Sequence, residues 1–235
     1  MDNETTELAK KVAAELAVKE NVQKDIILGI GSGSTIIHAV KEIKEMDTDI
    51  RSSIVCIPTS YQSKQLIIEY GLNLGSLDQY PDIDVTIDGA DEIDGDLNLI
   101  KGGGGCLVKE KIVASSSRNF VVIVDWRKMS SQLGDKWRVG IPVEIIPTAL
   151  KPLMKKLKDL GGKPVLRMAK AKMGPVVTDN GNFIIDVDFG KINAPDELQF
   201  QLKSLTGVVD SGLFLKMATK AYIGQANGKV QTLIP

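Results

Sequence analysis

The sequence predicts an α/β protein: a Rossmann-like open parallel sheet with helices on both faces, plus a smaller ferredoxin-like α+β domain. Three observations lead there. In the first half, short runs that are apolar at every position alternate with stretches of helical spacing, as strands buried on both faces require. Beyond about residue 133 the order becomes β-α-β-β-α-β, the split motif of a ferredoxin-like domain. The chain has 235 residues, 43% apolar and 25% charged, which is enough core material for one large domain or two unequal ones.

Each element follows from local pattern. Leu8, Val12 and Leu16 recur every four residues beside alanines, predicting an amphipathic first helix. The run 26–30 ends in glycines and reads as a buried strand; helical spacing returns at Ile36, Ile37, Val40 and Ile43. Residues 53–57 form a strand stopped by Pro58, and 61–70 a helix stopped by Gly71. Two more strands fall at 84–88 and 120–124. In the second half, 141–146 reads as a strand, 148–160 as a helix closed by Gly161-Gly162, and 164–168 as a strand. Asp179-Asn180-Gly181-Asn182 is a turn signal before the strand 183–187. A helix at 195–205 and a strand at 208–209 complete the motif, and short strands at 222–223 and 230–234 are free to rejoin the first sheet. The expected division is 1–133 with 207–235 as the Rossmann-like catalytic domain and 134–206 as the small domain.

Composition excludes several classes. Lysine plus arginine number 29 against 30 acids, so no global field favours nucleic acid or an anionic membrane. The longest stretch free of Asp, Glu, Lys and Arg, 26–40, is too short and too polar to span a bilayer. Two cysteines and a single histidine, His38, fit neither a disulfide framework nor a multi-histidine metal site. The acidic start Met1-Asp2-Asn3-Glu4 does not resemble a secretory signal, and a cytoplasmic protein is expected.

Three clusters carry the chemistry. Gly29-Ile30-Gly31-Ser32-Gly33-Ser34-Thr35 follows a strand and opens a helix, where backbone N–H groups and the helix dipole hold an anion. A dinucleotide GxGxxG is absent, because Ser34 or Ile36 stands where the last glycine belongs, and so is the lysine of a triphosphate loop. Ser32, Gly33, Ser34 and Thr35 therefore suit a small phosphate ester, the plain alternative being a tight turn at a capped helix. Next, Asp88-Gly89-Ala90-Asp91-Glu92 ends a strand. Its carboxylates repel one another unless a cation or a hydroxyl-rich ligand shares them, and short acidic runs are too common for Mg²⁺ to be the stronger reading.

The third cluster is Lys101-Gly102-Gly103-Gly104-Gly105. Four glycines in a folded domain are entropically costly unless the backbone must approach a ligand or turn through positive φ; a flexible hinge is the alternative. Lys101 before them is placed to neutralise an oxyanion. Glu110 lies between Leu107 and Val113 at helical spacing, so it borders the buried stripe with the partial shielding a general base needs. Alone, it would read as an ordinary helix-flank glutamate. Lys128 follows the strand 120–124 to the same edge, unless it is simply a surface lysine, while Cys106 and His38 read as packing residues. An anion cradle, carboxylates, a lysine and a shielded glutamate on one sheet edge fit proton transfer next to the carbonyl of a phosphorylated sugar.

These motifs, Gly31-Ser32-Gly33-Ser34-Thr35, Asp88-Gly89-Ala90-Asp91-Glu92, Lys101-Gly102-Gly103-Gly104 and Lys109-Glu110-Lys111, resemble those of the ribose-5-phosphate isomerase type A family. Pro142-Val143-Glu144-Ile145-Ile146-Pro147 and the segments 176–182 and 207–214 resemble it too, so the likeness runs in order through nearly the whole chain. The resemblance implies a cofactor-free and metal-free interconversion of D-ribose 5-phosphate and D-ribulose 5-phosphate in the pentose phosphate pathway. It implies a cytoplasmic homodimer or homotetramer whose small domain contributes to assembly. Glu110 would move the proton through an enediolate, Asp88 and Asp91 would act on the sugar hydroxyls and ring opening, and Lys101 with its glycines would stabilise the oxyanion. Ser32 to Thr35, Gly89, Ala90, Gly102, Gly103, Gly104 and Lys128 match ligand-binding positions. Ser32 stands where that family often has threonine, and Gly105-Cys106 where alanine-sized residues are usual. A noncatalytic sugar-phosphate sensor and an acyl-CoA transferase-like enzyme of the same superfold are the alternatives.

Overall fold

The computed structural model describes residues 3–235; Met1 and Asp2 of the acidic start lie outside the described residues. In chain order the first elements are α1 (Asn3–Asn21), β1 (Ile27–Ile30), α2 (Ser34–Glu45), α3 (Thr48–Arg51), β2 (Val55–Pro58), α4 (Tyr61–Glu69) and β3 (Asn73–Leu74). They are followed by β4 (Ile83–Asp88), β5 (Glu92–Ile93), β6 (Leu99–Ile100), α5 (Leu107–Ser115), β7 (Ser117–Asp125) and β8 (Ile141–Ile145). The rest are α6 (Leu150–Asp159), β9 (Lys163–Leu166), β10 (Phe183–Asp188), α7 (Pro195–Lys203), β11 (Val208–Ser211), β12 (Leu213–Phe214), β13 (Lys220–Gly224) and β14 (Val230–Leu233).

The chain divides into two compact units. The first comprises 1–90, 109–128 and 216–235 and carries a seven-stranded sheet in the order β14-β13-β7-β4-β1-β2-β3. Every neighbouring pair is parallel except β13 with β14, so the expected open α/β sheet is present and the tail does rejoin it. Leu28, Ile30, Ile87, Val121 and Ile123 pack on one face with Ile36, Val40 and Ile43 of α2; Ile57 and Ile83 pack with Val113 of α5. The first helix forms as expected but turns a different stripe inward. Ala9, Ala13, Ala14, Ala17 and Val18 are buried, whereas Leu8 is 46% exposed. The reason is close approach: a Cβ on Gly224 of β13 would lie 1.9 Å from the Ala9 carbonyl oxygen, so only a helix face of small residues fits against that strand.

The second unit comprises 91–108 and 129–215. Its four-stranded antiparallel sheet has the order β11-β8-β10-β9, the strand order of a ferredoxin-like β-α-β-β-α-β motif. Leu153, Leu157 and Leu202 of α6 and α7 pack on Val143, Ile145, Ile185 and Val187. Residues 91–108 join this unit through a feature without any sequence signal, a three-stranded sheet in the order β12-β6-β5 built of two-residue strands. Among the described residues, no helix is long and apolar enough to cross a membrane.

Candidate active site

In the first unit, β1 pairs with β2 on one side and with β4 on the other, so the chain reverses its direction of sheet growth there. Strand ends diverge at such a switch point, which is where open α/β sheets bind ligands. The Gly31–Thr35 turn leaves the end of β1, and Asp88 closes β4 beside it. The Asp88 carboxylate is fully buried; its Oδ1 accepts the Ser32 N–H at 3.0 Å and the Gly89 N–H at 2.7 Å. Gly31 must be glycine, since a Cβ there would lie 2.1 Å from that same oxygen. The Ser32 hydroxyl lies 2.8 Å from the Thr59 hydroxyl and donates to Ser60 at 2.7 Å, tying the turn to the end of β2.

Gly33, at φ 100°, precedes α2 without a side-chain cap, and its N–H donates to Gln62. Ser34 and Thr35 then begin the helix, where the unspent N–H groups of a first turn favour an anion. The reading from sequence missed Lys10: on α1, braced by Glu7 at 2.7 Å, its Nζ donates to the Ser34 hydroxyl at 3.0 Å. Lys10 and His38 hold the Glu7 carboxyl below the usual carboxylate range. Only helical register on α1 hinted at Lys10, and nothing linked it to a turn 24 residues on.

Glu110, on the first turn of α5, is 5% exposed, which fits the expectation that it borders the buried stripe. Lys128 follows β7 in a 3₁₀ turn and is half-buried. Just before it, burial works to raise the Asp125 carboxyl. Hydrogen bonds from the Arg127 side chain and backbone, with its charge, outweigh this and hold Asp125 low.

In the second unit, Asp91 and the glycine run are one assembly. The Asp91 Oδ2 accepts the Gly103 N–H at 2.6 Å, and a Cβ on Gly103 would lie 2.7 Å from the other carboxylate oxygen. Gly102 and Gly105 have φ 103° and 82°, and the Gly105 N–H donates back to the Gly102 carbonyl, so the run is a closed turn and not a hinge. Lys101 is 2% exposed; its backbone N–H donates to Gly212 and its ammonium lies 5.5 Å from the Phe214 ring centre.

Glu92 belongs to none of this chemistry. Fully buried, it accepts four backbone N–H groups, from Gly134, Asp135, Lys136 and Trp137, at 2.9 to 3.2 Å. The three carboxylates read from the sequence as one cluster therefore have separate partners: Asp88 accepts from the Ser32 and Gly89 N–H groups, Asp91 from Gly103, and Glu92 is a structural anion. No group of three potential metal-ligating side chains occurs among the described residues. Glu144 is likewise structural: Oε1 accepts from Thr178, Asn180 and Asn182, which explains why the 142–147 and 176–182 motifs go together.

Comparison with known proteins decides the family. Residues 55–228 match the family described as ribose 5-phosphate isomerase A (phosphoriboisomerase A). The chain belongs to that family. It is 54% identical over 230 residues to the ribose-5-phosphate isomerase of Candida albicans, covering 95% of both chains. It is 53% identical over 225 residues to that of Homo sapiens, covering 95% of this chain and 72% of the human one. A solved structure of a D-ribose-5-phosphate isomerase in complex with phospho-erythronic acid superposes with a TM-score of 0.93 at 40% identity, covering all of both chains. Family membership makes the chain an isomerase and disfavours the sensor and transferase readings.

Proposed function

We propose that the chain interconverts D-ribose 5-phosphate and D-ribulose 5-phosphate with Glu110 as the proton-transfer base. The observation that carries the reading is the buried Asp88 carboxylate, which orients a hydroxyl-lined turn at the switch point of the sheet. Ser32 to Thr35, with Lys10 and Lys128 as cations, bind the phosphate. Asp88 and Asp91 accept from the sugar hydroxyls and assist ring opening, and Gly89 and Ala90 contribute backbone contacts between them. In the open aldose, Glu110 removes the C2 proton, the electron pair forms the C1–C2 double bond, and O1 gains the charge. Lys101 and the N–H groups of Gly102, Gly103 and Gly104 stabilise that oxyanion. A proton passes from O2 to O1, Glu110 returns its proton to C1, and the ketose results. No step calls for a cofactor or metal.

The planar carboxylate of phospho-erythronic acid resembles the enediolate, so this chain binds it more tightly than substrate. A cytoplasmic homodimer or homotetramer assembled in part through the small domain, serving the pentose phosphate pathway, completes the proposal. Conversion of ribose 5-phosphate, measured with excess chelator, tests it. Glu110→Gln should lower kcat by at least about 1,000-fold with the protein still folded. Equal activity in both forms would remove Glu110 as the base, and an inactive native chain that binds ribose 5-phosphate would turn the reading to a sensor.

A further inference from the structure

The four-stranded sheet has a second face, opposite α6 and α7, and its residues converge on the glycine run. Asp186 of β10 pairs with Val165 of β9, so Arg167, two residues further along, is its diagonal neighbour on one face. Backbone pairing continues past the end of β9, with the Arg167 N–H donating to Ile184 at 2.9 Å. Both side chains are largely buried, 15% and 9% exposed. The guanidinium spends Nε, at 2.8 Å, and Nη2 on the two oxygens of Asp186. Its remaining nitrogen, Nη1, donates to the carbonyls of Gly102 at 2.8 Å and Gly103 at 3.1 Å.

A trans peptide points its N–H opposite to its C=O, and no cis bond occurs among the described residues. The carbonyl of Gly102 and the N–H of Gly103 belong to one peptide, which is thus strung between Arg167 on one side and the Asp91 carboxylate on the other. The carbonyl of Gly103 fixes the next peptide in the same way, sending the Gly104 N–H away from the guanidinium. Residues without side chains cannot set these directions themselves, and a charged donor on the carbonyls strengthens the N–H bonds on the far side.

We propose that Arg167, held by Asp186, is a positioning residue for the isomerisation: it fixes the peptides of the glycine run so that their N–H groups face Asp91 and the developing oxyanion. The inference rests on the isomerase reading and adds two residues outside every motif of the sequence analysis. Only arginine supplies the rigid fork that serves a carboxylate and two carbonyls together.

The test is steady-state isomerisation of ribose 5-phosphate by Arg167→Met, Arg167→Lys and Asp186→Asn, with thermal unfolding and the inhibition constant of phospho-erythronic acid measured alongside. Because the N–H groups act on charge that develops in the transition state, kcat should fall at least about tenfold in Arg167→Met while KM stays within about threefold. Inhibitor affinity should fall with kcat/KM, Arg167→Lys should recover only part of the rate, and Asp186→Asn should lie between. Native-like kcat in folded Arg167→Met or Asp186→Asn overturns the proposal. So does a loss of activity fully accounted for by the unfolded fraction, with kcat per folded chain unchanged. An inactive wild type instead overturns the isomerase reading beneath it.

Discussion

The two glycine-rich turns reach similar ends by opposite means. Gly31–Thr35 is shaped by its own neighbours along a parallel sheet: β1 delivers it, β2 and β4 end beside it, and short hydroxyl and carboxylate contacts hold it. Lys101–Gly105 has two-residue strands before it and borrows its order from far along the chain, from Gly212, Arg167 and, through Arg167, Asp186. A turn built on regular strands needs few unusual residues. One built off them needs a buried ionic anchor.

The largest expected effect breaks the first turn. Gly31→Ala puts a Cβ 2.6 Å from the Asp88 Cα as well as against its carboxylate, so backbone has to move. A stability loss of about 2–3 kcal/mol in urea unfolding and a kcat loss of about 100-fold are expected. A wild-type rate would mean that the Asp88–Ser32 contact is not needed. Next comes the support of the second unit. Glu92→Gln keeps one accepting oxygen and turns a donating NH2 toward two of the four backbone N–H groups, so about 1–3 kcal/mol should be lost in denaturant titration, with a smaller effect on kcat.

A pH experiment sharpens the contrast between a buried platform and an exposed loop. Cys56, in the strand that brings Thr59 and Ser60 to the first turn, has its thiol pushed up to about 12 by burial. An unfolded thiol ionises near pH 8.5. The neutral folded thiol therefore contributes stability that is fully present below that pH and lost as pH rises toward 12. Wild type should lose about 1.4 kcal/mol per pH unit more than Cys56→Ala above about pH 9. In the native protein at neutral pH, iodoacetamide should label half-exposed Cys106 and spare Cys56, as mass spectrometry would read. The smallest effect falls at Gly104, where an added Cβ meets nothing within 4 Å: Gly104→Ala should change stability by no more than about 0.5 kcal/mol. A large loss there would make the second turn as tightly packed as the first.

Much of the fold was legible because it is written in local periods. All-apolar runs marked the parallel strands, the β-α-β-β-α-β order marked the small sheet, and Asp179-Asn180-Gly181-Asn182 marked its turn. The inward face of α1 was misjudged because leucine is the stronger hydrophobic signal, while contact with Gly224 admits only alanine. Among the candidate site residues, the hydroxyl turn, Asp88, Asp91, Lys101 and Glu110 stood out by type and place, but the sequence did not separate Glu92 from its acidic neighbours.

By itself the sequence determined the α/β class, the kinds of strand and helix, the glycine- and hydroxyl-rich turn that opens the second helix, and the family motifs, since each depends on residues within one or two turns of each other. Only the tertiary structure decided that Lys10 braces Ser34, that 134–137 wrap Glu92, and that Arg167 and Asp186 orient Gly102 and Gly103. Those contacts join residues from 19 to 65 positions apart, and a side chain's usual type preferences do not identify a partner at that distance.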